Sequence, residues 1–156
     1  MCFSGYIGGS SYASTGSAAN SLCLPHKPVF DDHAVPRYGS ANLYGAEYET
    51  CDETECDLTP ACAVCRTPKL SVIMVPATDV CHPGWSLEYS GYLMAGHPTH
   101  ASATEYICVD KSRGYIEGTQ GSQNGRLLYY TAVHCNSLSC PPYVDGKIVL
   151  CAVCSK

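Results

Sequence analysis

The sequence predicts an all-β protein, built as a tandem duplication of two disulfide-rich β subdomains. Short segments rich in Val, Ile, Tyr and Thr are bounded by Gly, Pro, Ser and Asn, which is typical of strands and turns. No window carries a 3.6-residue apolar period over three turns, as an amphipathic helix would. The chain also holds 12 cysteines in 156 residues, and their order repeats in its two halves. We therefore expect β subdomains at residues 1–69 and 70–156, together forming one compact, pseudo-duplicated domain.

Six strands are expected from this pattern. They lie at residues 43–50, 70–75, 85–94, 104–109, 126–133 and 147–153. The loops at residues 8–20, 25–40 and 110–125 are longer than ordinary hairpin connections. Loops of this length in a small domain need either covalent anchoring or a function.

The internal repeat extends beyond the cysteines. SGYIGGSSYASTGSAANSLCLP begins at Ser4, and SGYLMAGHPTHASATEYICVD begins at Ser90. LYGAEYETC and LLYYTAVHC then each lead into a C-x4-C pair, and each half closes with CAVC. Self-similarity of this kind indicates one structural unit copied once, with six cysteines in each copy.

The CAVC motif, at residues 62–65 and 151–154, admits three interpretations: disulfide anchors, half a zinc site or a redox dithiol. On a strand, residues three apart point to opposite faces and lie roughly 10 Å apart, whereas a disulfide needs Cα atoms within about 7 Å. Zinc knuckles normally lie about 15–20 residues apart, and a redox dithiol belongs to a strand–helix pattern that is absent here. The pattern favours anchors for two separate disulfides. Six cysteines permit many pairings, and spacing alone does not choose one.

Composition limits the partners and the compartment. Charged residues make up 15% of the chain, the formal net charge is −5, and no basic cluster exists, so we expect no nucleic-acid partner. The longest apolar stretch, LSVIMV, is too short for membrane insertion. An even number of cysteines at this density indicates an oxidising compartment, so we expect a secreted, extracellular protein. The opening MCFSGYIGGS carries no secretory-signal pattern, and we expect a signal to have been removed.

No pattern in the sequence indicates catalysis. G-x-S-x-G, H-E-x-x-H, P-loop and G-x-G-x-x-G motifs are all absent, so we expect no enzyme activity, no cofactor and no metal. Two weaker patterns leave metal binding open. Asp31, Asp32 and His33 could hold a cation or form an exposed acidic loop, and His97 and His100 could approach one metal without an identifiable second pair of ligands.

The stretch CAVCRTPKLSVIMVPATDVCHPGWSLEYSGYLM resembles the junction between the two halves of the C-terminal non-collagenous domain of type IV collagen. The residues that match are Cys62, Cys65, Cys81, Pro83, Gly84, Trp85, Gly91 and Tyr92. The chain is more similar still to the C-terminal domain of the short-chain, spongin-type collagens, through AANSLCLP, LYGAEYET, CAVCR, GWSLEYSGYLMAGH, ATEYICVD and CPPY. This resemblance covers almost the whole chain. The first half departs from it, because CFSGY lacks the PGWSLEY segment found at residues 83–89, and no Gly-X-Y repeat is present.

The resemblance implies an all-β fold of two similar subdomains and a nested set of disulfides. The implied pairs are Cys2–Cys65, Cys23–Cys62, Cys51–Cys56, Cys81–Cys154, Cys108–Cys151 and Cys135–Cys140. Free-standing proteins of this kind occur in marine invertebrates, and the chain is similar to a feather-star-type lectin specific for galactose-type sugars.

These features favour a multivalent lectin for galactose-type extracellular glycans, formed as a homo-oligomer. Loops pinned by disulfides and rich in Gly, Ser, Asn and Tyr offer polar groups and aromatic faces at a small ordering cost. The candidate glycan-binding residues are His97, His100, Glu105, Tyr92, Tyr12, Ser14, Asn20, Gln123, Asn124 and Arg126. Each has a structural alternative: the histidines as solvated loop residues, Tyr92 and Trp85 as core, and Asn124 with Gly125 as a tight turn.

A different class of function is also compatible with the sequence. Type IV collagen domains trimerise by exchanging strands, so the resemblance equally allows an extracellular matrix assembly module. The sequence has no Gly-X-Y tract, and this favours the lectin over the assembly module.

Overall fold

We analysed a computed structural model, which describes residues 1–32, 39–51 and 56–156. Within these residues the regular secondary structure is entirely β, as expected, and it forms nine strands: β1 (Cys2–Gly9), β2 (Leu22–Pro25), β3 (Tyr44–Tyr48), β4 (Ala61–Cys65), β5 (Val72–Pro76), β6 (Ser86–Ala95), β7 (Ile107–Asp110), β8 (Arg126–Tyr130) and β9 (Leu150–Ser155). The described residues contain no helix capable of crossing a bilayer.

Six of these strands overlap the six expected segments, and three were not expected. β1, β2 and β4 contain glycine or are only four to five residues long, so local propensity marks them weakly. β1 holds part of the expected loop at residues 8–20, because tertiary pairing on both of its edges overrides the low strand propensity of CFSGYIGG.

The chain packs as two compact units, and neither is a continuous half of the sequence. Unit 1 comprises Met1–Arg66, Gly96–Glu105 and Gly114–Leu128, and unit 2 comprises Thr67–Ala95, Tyr106–Arg113 and Tyr129–Lys156. The change of unit after Arg66 lies close to the expected boundary at residue 69. The expected subdomains were contiguous, whereas two segments of the second half, Gly96–Glu105 and Gly114–Leu128, belong to unit 1.

Unit 1 is organised around β1, which pairs antiparallel with β2, β3 and β4. Gly5 is opposite Cys62 in β4 and Pro25 in β2. The first three residues of β8 add a parallel pairing to β3. The buried apolar side chains of this unit are Ala46, Tyr48, Leu58, Leu127 and Leu128.

Unit 2 is organised around β6, which pairs antiparallel with β7 and β9. Gly91 is opposite Cys151 in β9 and Asp110 in β7. β5 pairs with β9, and the last two residues of β8 pair with β6. The buried core side chains of this unit are Leu93, Met94, Val109, Val133, Cys151, Ala152 and Cys154.

A glycine sits at the middle of each central strand because a neighbouring backbone leaves no room for a side chain. A Cβ on Gly5 would lie 1.9 Å from the carbonyl oxygen of Leu24, and a Cβ on Gly91 would lie 1.8 Å from that of Val109. Glycine in a strand interior often marks such a close approach of two backbones.

Each unit contains three disulfides, and the six pairs are those that the collagen resemblance implies. Unit 1 contains Cys2–Cys65, Cys23–Cys62 and Cys51–Cys56, and unit 2 contains Cys81–Cys154, Cys108–Cys151 and Cys135–Cys140. Each CAVC therefore bonds to two separate partners, and all twelve cysteines are paired. A chain of 156 residues with six disulfides belongs in an oxidising compartment, which is the condition met outside the cell.

Candidate functional site

Two loops that are distant in sequence lie together in unit 1. The loop at residues 96–105 follows β6, and the loop at residues 10–21 follows β1. The amide of Ser102 donates to the carbonyl of Tyr12 at 3.0 Å, and the amide of Glu105 donates to the carbonyl of Ala19 at 3.1 Å. The amide of Ser21 donates to the Glu105 carboxylate at 2.7 Å. These bonds bring most of the sequence-predicted glycan residues into one region.

Three ring side chains meet where these loops join, and we call Tyr12, His97 and His100 the ring cluster. The ring centroids of Tyr12 and His100 are 4.8 Å apart in an edge-on arrangement. Those of His97 and His100 are 5.4 Å apart with an interplanar angle of 48°. His97 is exposed, whereas Tyr12 and His100 are half-buried. The cluster thus presents ring surface to solvent from a fixed base.

A tight turn places the two histidines side by side. The amide of His100 donates to the carbonyl of His97 at 3.0 Å, and Pro98 occupies the second position of this turn, where its fixed φ is favourable. The amide of Thr99 donates to Nδ1 of His97 at 3.3 Å, and the Thr99 hydroxyl lies 2.8 Å from the same nitrogen. The HPTH sequence therefore folds locally into a turn that orients the His97 ring.

The surroundings of His100 favour its neutral imidazole form. Burial lowers the pKa of His100 below its usual value, and the neighbouring His97 lowers this pKa further. A desolvated imidazole next to a second one resists protonation, because the cation would lose water and face a like charge. The lowered pKa of His100 therefore favours an uncharged ring face at this position.

A buried carboxylate fixes the segment on which Tyr12 rests. The side chain of Glu47 is 4% exposed, and its oxygens accept hydrogen bonds from the amides of Gln123 at 2.7 Å and Asn124 at 3.1 Å. The carbonyl of Gly125 then accepts the amide of Tyr12 at 2.9 Å. Asn124 has a left-handed φ of 54°, as expected for a residue in a tight turn. Its exposed side-chain amide donates to the hydroxyl of Ser122.

A buried guanidinium lies beneath the loop at residues 17–21. Arg126 is 1% exposed, and its Nη2 donates to the carbonyl of Ala19. A Cβ on Gly9 would lie 2.5 Å from Cδ of Arg126 and 2.9 Å from Nη1, so the missing side chain of Gly9 makes the space for this group. Burial lowers the pKa of Arg126, and the charge of Glu105 opposes that effect.

The remaining candidates are placed differently. Ser14 and Asn20 lie on the loop at residues 10–21. Ser14 is half-buried, and its amide donates to the carbonyl of Ser11 in a turn. Tyr92 belongs to unit 2, whereas these loops belong to unit 1. There it is half-buried, its ring is 4.9 Å from that of Tyr130, and the guanidinium of Arg113 lies 5.4 Å above it. Tyr92 is thus closer to the core alternative than to an exposed binding residue, although it is only half-buried.

The described part of unit 1 contains a group of three carboxylates that could bind a cation. Oxygens of Glu47, Glu49 and Asp57 can lie within 4.8 Å of one another, and burial together with the neighbouring Asp57 and Glu47 raises the pKa of Glu49. Carboxylates are the ligands that Ca²⁺ prefers, although Glu47 already accepts two amides. Of the Asp31, Asp32 and His33 group, His33 lies outside the described residues, and both aspartates are exposed.

Unit 2 contains an open cavity of about 510 Å³ with mostly apolar walls. Val133, Tyr143 and Ile148 contribute apolar surface, while Asp79 and Lys147 supply opposite charges. Asp79 also forms an exposed ion pair with Lys111 at 3.7 Å. This volume lies within the usual range of small-molecule sites, about 300–1,000 Å³, and none of the candidate glycan residues lines it.

Sequence reasoning did not identify Glu47, Ser21 or Ala19 as parts of this region. Glu47 carried a usable signal, because a carboxylate in the otherwise apolar and aromatic LYGAEY strand needs a partner if the strand is buried. Ser21 and Ala19 act through backbone groups, which no residue pattern marks.

Comparisons with protein families, with curated proteins and with solved structures found no match to this chain. The site is therefore interpreted from its own residues.

Proposed function

We propose that the protein is a secreted lectin for galactose-type glycans, and that its binding site is the loop region of unit 1 around the ring cluster. The observation that carries this proposal is the placement of Tyr12 beside His97 and His100, with exposed polar loop residues next to them. Galactose has an apolar C–H face and hydroxyls at its rim. A site for it needs both a ring surface and planar polar groups.

The ring cluster supplies the apolar part. Tyr side chains give a large, rigid contact surface at low conformational cost, and a neutral imidazole offers a similar flat face. The carbonyl of Tyr12 accepts the amide of Ser102, and the amide of Tyr12 donates to the carbonyl of Gly125. Because both backbone groups are held, little ordering is needed when a ligand binds.

Exposed polar side chains next to the rings supply the hydrogen-bonding part. Glu105 and Asn20 are exposed on the two joined loops, and Gln123 and Asn124 are exposed on the segment that holds Tyr12. Carboxylates and amides can accept from or donate to adjacent sugar hydroxyls. The site combines these groups from three segments of the chain.

We also propose that the chain is a tandem duplication with the fold of the collagen C-terminal domain. The internal pairing of each unit supports this. In each unit the central strand carries the sequence SGY. The glycine of this sequence is opposite the first cysteine of the CAVC strand in both units. The residue two positions after the glycine is opposite the cysteine of the short neighbouring strand, and these pairs are Ile7 with Cys23 and Leu93 with Cys108.

Homo-oligomer formation would make the lectin multivalent. Linking several weak sites raises the overall affinity without new contacts. The assembly-module alternative has its own supporting observation. Among the residues that the structure describes, β5 pairs on one edge only, with β9, and it carries the consecutive exposed side chains Val72, Ile73 and Met74. An apolar edge strand is a surface to which another chain can add, so matrix assembly is the second candidate function.

Glycan binding can be tested with a lactose or galactose surface at high protein density. We expect the unmodified protein to bind. Tyr12→Ala and His100→Ala should each weaken binding at least about tenfold, because an aromatic contact in a binding site contributes on the order of 1–3 kcal/mol.

Tyr115→Ala is the matched control, since Tyr115 is an exposed tyrosine of unit 1 outside the loop region. Its binding should equal that of the unmodified protein. The absence of binding across a broad glycan array would reject the lectin, and a stable oligomer dispersed by Ile73→Lys would then favour matrix assembly.

A further inference from the structure

The guanidinium of Arg126 has hydrogen-bonding capacity that the described residues do not use. A guanidinium carries five N–H donors, and this one makes a single hydrogen bond, from Nη2 to Ala19. Its Nε and Nη1 are buried without a hydrogen-bond partner. The hydroxyl of Ser21, on the same loop as Ala19, is also buried without a partner. Buried donors left unsatisfied are costly, and native proteins fill them with water or ligand.

The charge of Arg126 is also incompletely matched. Among the described residues, no carboxylate lies within 4.0 Å of its guanidinium nitrogens. Glu105 is near enough to affect Arg126 electrostatically, but its carboxylate accepts the amide of Ser21. A buried charge without an ion-pair partner favours the arrival of an anion, and a guanidinium is the side chain best suited to sulfate or carboxylate groups.

We propose that Arg126 and Ser21 form an oxyanion subsite, which receives a sulfate ester carried by a galactose-type glycan. This inference rests on the proposed function and specifies its ligand as an acidic galactoside. The glycan's sulfate oxygens accept from Nε and from Nη2 of Arg126, which share one edge of the guanidinium, and from the hydroxyl of Ser21, while the sugar lies on the adjoining ring cluster.

The cover over this subsite is short and built from small residues. Ala18, Ala19 and Asn20 are exposed, and hydrogen bonds hold the segment at two carbonyls. Ser10 Oγ donates to the carbonyl of Ala18 at 2.8 Å. Arg126 and the amide of Glu105 both donate to the carbonyl of Ala19. Shifting this segment frees Nη2 of the guanidinium from the carbonyl of Ala19, and the sulfate replaces the acceptor that Arg126 loses.

The test compares methyl β-galactoside with its 3-O-sulfate and 6-O-sulfate, using isothermal titration of the unmodified protein. We expect one sulfated form to bind at least about tenfold more tightly, as a hydrogen bond to a charged group contributes on the order of 1.5–3 kcal/mol. Inorganic sulfate at the same concentration should bind far more weakly. If it binds as tightly as the sulfated sugar, the assignment to a glycan is overturned.

Variants then locate the preference. Arg126→Gln should abolish the preference for the sulfated sugar, while Arg66→Gln, which removes one exposed positive charge from the same unit, should leave it intact. If Arg126→Gln does not fold, amide hydrogen exchange of the unmodified chain decides: the sulfated sugar should change exchange at Glu105 and Ser21 more than the neutral sugar does.

The two proposals fail differently. Equal binding of neutral and sulfated galactosides would overturn the oxyanion subsite, would leave a buried water as the partner of Arg126, and would leave the lectin standing. No binding of any galactoside would reject both.

Discussion

Units 1 and 2 share one pairing scheme but differ in what is added to it. Each has a central strand with a glycine under a neighbouring carbonyl, a CAVC strand on one edge and a short cysteine-bearing strand on the other. Unit 1 also receives Gly96–Glu105 and Gly114–Leu128. Unit 2 receives no such segments from the first half, and it has an open, mostly apolar cavity instead.

The difference lies in where charge is buried. Unit 1 encloses the carboxylate of Glu47 and the guanidinium of Arg126 among its loops, whereas the fully enclosed positions of unit 2 are mainly apolar or cysteine. Buried charged groups are costly, so they are kept where they position other groups or bind a ligand. This difference in buried charge is the reason that we propose recognition by unit 1 and a more structural role for unit 2.

The largest effect should come from removing the long-range disulfides, one unit at a time. Replacing Cys23 and Cys62 with alanine, or Cys108 and Cys151, should each lower the free energy of unfolding by about 2–5 kcal/mol. The two disulfides close loops of nearly equal length, with sequence separations of 39 and 43 residues. The entropic cost of closing these two loops therefore differs by only about 0.1 kcal/mol.

The unit 2 variant should nevertheless lose about 1 kcal/mol more, because Cys151 is fully buried while Cys62 is half-buried, so its removal leaves a cavity. Urea unfolding measures both. A greater loss from the unit 1 pair would contradict this ordering.

The next effect concerns the two central glycines. Gly5→Ala and Gly91→Ala should each destabilise the protein by about 3 kcal/mol, since the added Cβ would meet a backbone carbonyl that cannot rotate away. Gly45→Ala is the control, because a Cβ at this strand glycine meets nothing within 4 Å, and its change should stay within about 0.5 kcal/mol. Unequal losses at Gly5 and Gly91 would show that the two central strands are not equivalent.

The smallest effect is a pH dependence confined to unit 1. The pKa of His100 is lower in the folded protein than in the unfolded chain, where it is near 6.5, so the unfolded chain takes up the proton first. The stability that the ring cluster contributes is then fully present above pH 6.5 and decreases as the pH falls below it.

His100→Gln should reduce this dependence, whereas His134→Gln, at an exposed position of unit 2, should not. Titration of the His100 ring by NMR measures the pKa directly. A midpoint above the unfolded value would show that the sign of this prediction is wrong.

Much of the architecture could be predicted from the sequence, for identifiable reasons. The apolar and aromatic runs at residues 70–75 and 85–94 predict β5 and β6 because they are long and bounded by turn residues. The disulfide pairs followed from the collagen resemblance and not from spacing. β1 was missed because its four glycines and serines lower local strand propensity, while pairing with three strands stabilises it.

The location of the candidate site could be predicted only in part. The loop sequences GSSYASTGSAAN and GHPTHASATE were identified separately, by their polar and aromatic content. Their meeting depends on backbone hydrogen bonds between residues some 85–90 positions apart, such as Ser102 to Tyr12, and local sequence carries no signal for these. The burial of Glu47 and Arg126 likewise arises from tertiary packing.

The central claim is that loops from both halves of the sequence form one glycan site in unit 1. Mapping amide chemical shifts by NMR during titration with methyl β-galactoside tests this most directly. We predict that the largest shifts fall on Tyr12, His100, Ser102 and Glu105. Shifts centred on the unit 2 cavity around Val133 and Tyr143, with the unit 1 loops unchanged, would contradict it.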